Sequence, residues 1–160
     1  YGPGGVAIIV EALTDNKNRT ASEVRAAFTK YGGNLGETGS VSFMFERVGQ
    51  ITYGLEIATA EELFEAALEV GASDIQTTVD CHEVLCEAND LNEIREGLEK
   101  IFPNPNFAGL MWRPINTVFL RESGAETLIK LLDVLEDNDD VQSVSSNFEM
   151  DDSLLDRLTG

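Results

Sequence analysis

Residues 51–79 read ITYGLEIATAEELFEAALEVGASDIQTTV, and their pattern decides the fold. Ile51, Tyr53, Leu55 and Ile57 alternate with Thr52, Gly54 and Glu56, the period of a strand with one buried face. Thr59-Ala60-Glu61-Glu62 follows as a capping box, in which the Thr hydroxyl and the Glu carboxylate each satisfy the other's orphan amide. Leu63, Phe64, Ala67 and Leu68 then fall at helical spacing as the inward stripe, and Gly71 is the stop. Ile75 to Val79 returns as a strand, so the stretch is a β-α-β unit.

The same rhythm extends in both directions. Upstream, Val6 to Leu13 is an apolar, β-branched run suited to a buried strand. Ala21, Val24, Phe28 and Tyr31 keep helical spacing up to Gly32-Gly33, and the alternation of Val41, Phe43 and Phe45 predicts a second strand. Downstream, His82 to Cys86 is a strand, Leu91, Ile94, Leu98 and Ile101 line a helix, and Phe107 to Trp112 follows Pro103 and Pro105 as a further strand. A fourth unit takes Thr117 to Leu120, a capping box at Ser123-Gly124-Ala125-Glu126, a stripe of Leu128, Leu131, Leu132 and Leu135, and Val141 to Phe148; residues 151–158 add a helical tail. Four such units predict an α+β protein of two ferredoxin-like split β-α-β domains. The composition shift at Val48 and the junction at Pro114 favour insertion: 48–114 as an inserted acidic domain, 1–47 plus 115–160 as a discontinuous one.

Charge follows the same division. Residues 1–47 hold five cations and five anions, net 0; 48–114 are net −10 and 115–160 net −8, giving −18 over 160 residues. A polyanion is repelled by the acidic segments, so a phosphate contact belongs in the first 47 residues. No run approaches the ~18 apolar residues of a membrane span, and no membrane partner is expected. Two cysteines make no disulfide framework. The opening at Tyr1-Gly2-Pro3, without Met, predicts a fragment, so that any upstream domain or targeting signal lies outside it.

Enzymatic chemistry is hard to find. His82 is the only histidine and sits on a predicted strand, where it reads as structural. Cys81 and Cys86, five positions apart on that strand, point to opposite faces and make no metal pair. Asp137, Asp139 and Asp140 with Asn138 lack the spacing of a calcium loop and read as a solvated helix end. No active site, cofactor or metal is expected, and the protein reads as non-enzymatic.

Two stretches carry recognition chemistry. Asp15-Asn16-Lys17-Asn18-Arg19-Thr20 lies at the start of the first helix, where backbone amides favour anions and Lys17 and Arg19 add phosphate donors. It reads equally as an N-cap with Asp15 or Asn16 as capping residue. Gly32-Gly33-Asn34-Leu35-Gly36-Glu37-Thr38-Gly39 is neither a phosphate loop of the Gly-Lys-Ser/Thr kind nor a dinucleotide fingerprint, because it follows a helix. Its amides can form an anion nest, or serve as caps and turns.

Tyr1-Gly2-Pro3-Gly4-Gly5-Val6, Leu13 to Thr20, Gly32 to Gly36, Gly39-Ser40-Val41, and Leu135 to Gln142 with Asn147 together resemble the YebC/PmpR family, which includes the mitochondrial translational activator of cytochrome oxidase subunit I. The resemblance spans the chain and is strongest over the first 47 residues. It implies a basic helical domain upstream, and residues 48–114 inserted into a domain made by both ends. It implies a regulator of gene expression, cytoplasmic or in the mitochondrial matrix: a ribosome-associated translation factor that contacts ribosomal RNA or tRNA and aids synthesis of proline-rich stretches, or a DNA-binding transcriptional regulator acting at promoter DNA. Carried over residue by residue, Lys17, Asn18 and Arg19 are the first candidate contacts, and Gly33, Asn34, Gly36 and Ser40 the second. Most of the affinity for nucleic acid falls to the basic domain.

Overall fold

The structure, a computed structural model, describes residues 1–159. In chain order the first elements are β1 (Ile8–Ala12), α1 (Lys17–Lys30), β2 (Phe45–Gly54) and α2 (Ala60–Glu69). Next come β3 (Asp74–Thr77), β4 (Cys81–Glu87), α3 (Leu91–Glu99) and β5 (Phe107–Pro114). The last are β6 (Val118–Phe119), α4 (Glu122–Asp137), β7 (Val141–Ser146), β8 (Phe148–Glu149) and α5 (Asp152–Thr159). The chain divides into two compact units, one of Tyr1–Glu46 with Arg113–Gly160 and one of Arg47–Trp112. Both are α+β.

The continuous unit is built from local rules. Its sheet runs β3-β4-β2-β5, the interleaved order of a split β-α-β pair, with β4 antiparallel to both of its neighbours. Ile51 and Tyr53 of β2, and Val84 and Cys86 of β4, share a core with Leu63, Ala66 and Ala67 of α2 and with Ile94 and Leu98 of α3. The Thr59 capping box forms: Thr59 Oγ1 accepts from the Glu62 amide at 3.1 Å, and Glu62 Oε1 accepts from the Thr59 amide at 3.2 Å. His82 is buried with both ring nitrogens engaged. Nε2 donates to the Ala58 carbonyl at 2.9 Å, so Nδ1 accepts from the Thr77 hydroxyl at 2.8 Å.

The discontinuous unit is joined through backbone pairing of distant segments. β1 lies antiparallel to β7, Ile8 opposite Ser146 and Val10 opposite Val144, while β6 lies parallel to β8. Its strands thus form two two-stranded ladders in place of one four-stranded sheet. Asn147, only 3% exposed, is the joint between them. Its side-chain oxygen accepts from the Ala7 amide at 2.8 Å and its amide nitrogen donates to the Asn116 carbonyl at 3.3 Å. Its backbone N–H donates to the Ala7 carbonyl at 3.2 Å, and its own carbonyl accepts from Val118 at 2.7 Å. Every polar group of this buried residue has a partner, as burial requires. Val6, Ile8, Phe28, Leu128, Leu131 and Leu135 fill the core alongside.

Several expectations from periodicity change. Residues 41–44 are not a strand: Ser42–Met44 is a 3-10 turn that leads into β2 at Phe45, with Val41 and Phe45 buried and Phe43 70% exposed. Apolar residues at 41 and 45 satisfy a helical turn as well as an alternating strand, and the Met44 amide donates to the Val41 carbonyl at 3.0 Å. Hence 5–47 is no β-α-β unit, since the partner of β1 comes from the other end of the chain. β2 begins at Phe45, runs through Val48 and ends at Gly54; Leu55–Ile57 is another 3-10 turn. On α2 the buried stripe is Leu63, Ala66 and Ala67, whereas Phe64 is 45% and Leu68 52% exposed. α3 ends before Ile101, which is exposed. α4 starts at Glu122, one residue ahead of Ser123, and its N-cap Arg121 makes no side-chain cap, so the box at 123–126 does not form.

Candidate nucleic-acid interface

α1 begins where Thr14-Asp15-Asn16 breaks the run of β1. Asn16 is the N-cap, its side-chain oxygen accepting from the Arg19 amide at 3.0 Å. Val24, Ala27 and Phe28 bury one face of the helix, with Thr20 at its foot. Lys17, Arg19, Arg25 and Lys30 against Glu23 leave the helix net +3, in a chain of net −18.

The foot of this helix is tied to the loop between α4 and β7. Arg19 Nη2 donates to Asp140 Oδ2 at 2.9 Å. The buried Thr20 hydroxyl donates to the same oxygen at 2.8 Å and lies 2.9 Å from the Thr14 hydroxyl. The Asn16 amide donates to Thr14 Oγ1 at 3.0 Å, and the Leu13 amide to the Asp140 carbonyl at 2.9 Å. Asn138 supports the loop from both sides: its side-chain oxygen accepts from the Asp140 amide at 2.9 Å, and its side-chain nitrogen donates to Glu23 at 2.7 Å. The Arg19 and Thr20 hydrogen bonds hold the Asp140 carboxyl below the ordinary carboxylate range. The same hydrogen bond to Asp140 raises the guanidinium of Arg19 further.

This clasp changes the roles of the candidate residues. Arg19 faces Asp140, with Asp15 and Glu23 each 3.7 Å away, so its charge is spent within the molecule. Asp140 does not read as part of a solvated helix end any longer; its side chain is 21% exposed and it is the hub of the clasp. Lys17 and Asn18 stand beside it, exposed, with no side-chain hydrogen bond or ion pair among the described residues. Sequence reasoning missed Asp140 as a site residue, although the 135–142 stretch had been marked by its resemblance.

The glycine segment lies beyond the other end of α1, 14 residues away, or about 20 Å along the helix axis. Lys17 to Arg19 and Gly33 to Ser40 are therefore not brought into one site. The Gly33 amide donates to the Phe28 carbonyl at 2.8 Å and the Asn34 amide to the Tyr1 carbonyl at 2.8 Å. With both donors satisfied, the anion-nest reading of Gly33 and Asn34 does not fit. Gly33 serves close approach instead: a Cβ there would meet the Tyr1 carbonyl oxygen at 2.6 Å. At Gly36 a Cβ would meet Ser40 Oγ at 2.8 Å, so these two belong to one compact turn; the Ser40 amide donates to the Glu37 carbonyl at 3.0 Å.

Residues 1–148 match the family described as TACO1/YebC second and third domain. The chain belongs to the TACO1/YebC family. This is a family of nucleic-acid-associated regulators of the transcription or translation type. A solved structure of a conserved hypothetical protein, Aq1575, from Aquifex aeolicus is similar over 95% of this chain, with 48% identity and a TM-score of 0.90. The chain spans 63% of that protein's length. The TACO1/YebC match takes in both sides of the clasp, from Thr14 to Asp140, and the Asn147 joint. It stops short of α5. No helix among the described residues is long and apolar enough to cross a membrane.

Proposed function

We propose that this chain is part of a non-enzymatic translation factor that associates with the ribosome, touches ribosomal RNA or tRNA, and aids synthesis of proline-rich stretches. The observation that carries the reading is the foot of α1. It is the start of the one strongly cationic helix among the described residues of an acidic chain, held by the Arg19–Asp140 clasp, with Lys17 and Asn18 free to meet phosphate. Arg19 acts behind them by fixing the helix start. Gly36 and Ser40 form at most a separate, weaker contact. A basic region outside these residues, implied by the family resemblance, supplies most of the electrostatic attraction.

The test is cosedimentation of the intact protein with ribosomes across a salt series. Lys17→Glu is expected to weaken pelleting several-fold and flatten its salt dependence without lowering the melting temperature, because Lys17 holds nothing in the fold. Arg19→Ala is expected to weaken pelleting and lower the melting temperature together. Unchanged pelleting of Lys17→Glu, with retained binding to specific promoter DNA over scrambled DNA at physiological salt, would favour a DNA-binding regulator instead.

A further inference from the structure

The Arg47–Trp112 unit carries three cations and thirteen anions, and α2 holds four of the anions with no cation. Glu62 is committed to the capping box. Glu61 and Glu65 instead line an open groove of about 410 Å³ between α2 and β3, together with Ala60, Phe64, Ile75 and Thr77. Phe64 belongs to the pair, with Leu68, that turns outward although their spacing suits a buried stripe. The wall opposite α2 is β3, which ends the sheet: it pairs with β4 on one side and has no neighbouring strand on the other, where its Ile75 amide donates to the Asp74 carboxylate at 2.8 Å and its carbonyls are left to accept from an added strand.

We propose that this groove binds an extended, lysine- or arginine-rich peptide segment, which adds to the β3 edge and places one large apolar side chain against Phe64 and Ile75. An edge strand beside a helix offers main-chain pairing on one wall and a side-chain pocket on the other, the arrangement of strand-addition recognition. Charge selects the occupant. A second copy of this chain brings a net charge of −18, and nucleic acid brings phosphates; both are repelled by a unit of net −10. A cationic segment is attracted, with the carboxylates of Glu61 and Glu65 in the groove lining to meet its side chains. The inference does not rest on the reading of the α1 foot, which lies in the other unit.

The experiment titrates the 160-residue chain with a fluorescent nine-residue peptide carrying one central leucine flanked by lysines. Binding is expected, weakening about tenfold between 50 and 200 mM salt as screening grows. Phe64→Ala, and the pair Glu61→Lys with Glu65→Lys, are each expected to weaken it about tenfold at low salt with unchanged circular dichroism. N-methylation of alternate peptide amides is expected to abolish it, because strand addition needs those donors. The proposal is overturned by absent binding, by equal binding of the charge-reversed variant, or by equal affinity for a peptide with glutamate in place of lysine. Direct binding of labelled oligouridylate to the chain that Phe64→Ala removes would overturn it too. So would concentration-dependent dimerisation of the chain that Phe64→Ala removes.

Discussion

The two units are both α+β, yet they are assembled in opposite ways. The Arg47–Trp112 unit closes from neighbours in sequence: a capping box within four residues starts α2, and β3 turns back directly into β4. The other unit is sewn together across the length of the chain. β1 finds its partner at β7, the start of α1 is held by Asp140, and Asn147 carries the hydrogen bonds between two short ladders. Where a fold closes locally, single residues can be replaced at the cost of their own packing. Where it is sewn, a few polar residues carry the topology, and their loss frees segments far apart in sequence.

Substitutions can break or sharpen that contrast. The largest effect belongs to Leu98→Ala, which empties a fully buried position in the continuous unit and should cost about 3 kcal/mol in denaturant unfolding. Asn147→Ala should come close, at about 2–3 kcal/mol, because it leaves the buried Ala7 amide without its side-chain partner and opens the seam between the two ladders. A cost under about 0.5 kcal/mol would mean the seam does not depend on this residue, and the contrast would fail. Next come the two helix starts. Thr59→Ala should cost about 1 kcal/mol by removing a local cap. Thr20→Val should cost about the same while also raising amide exchange at Leu13, whose bond to the Asp140 carbonyl spans the clasp. Exchange changes confined to α1 would show that the clasp is only a cap.

The smallest effect is read in pH. Asp140 has a lowered folded-state pKa, so its contribution is fully present above the ordinary carboxylate range and is lost as pH falls through the depressed value. The melting-temperature gap between wild type and Asp140→Asn should stay constant from pH 7 to about 5 and narrow progressively as pH falls below about 4. A gap that does not narrow at all as pH falls below about 4 would mean that the charge of Asp140 does not hold the clasp.

How much could be read beforehand follows the same line. Residues 51–79 declared their helix and its cap because each signal lay within one turn of its partner. Even there the spacing misjudged Phe64 and Leu68, which fit the inward stripe by period and face outward in the fold. At 41–45 the apolar spacing suited two conformations, and hydrogen bonding within the turn selected the 3-10 form. The candidate contacts divided similarly. The cationic foot of α1 was visible as composition, but a string of residues does not say which cation is already paired. Arg19 and Lys17 looked alike until Asp140, more than a hundred positions away, was placed beside one of them.

Sequence by itself determined the α+β class, the helices, the local cap of α2, the uneven spread of charge and, by resemblance, the family. These rest on periodicity, neighbouring residues and composition, all properties of short range along the chain. Only the tertiary structure decided that the two ends of the chain are sewn by Asn147 and Asp140, that Gly33 and Asn34 spend their amides on backbone carbonyls, and that the acidic unit keeps an open groove beside its edge strand. The physical reason is that hydrogen-bond partners and exposure are set by which segments meet in space, and their distance along the chain leaves no periodic trace.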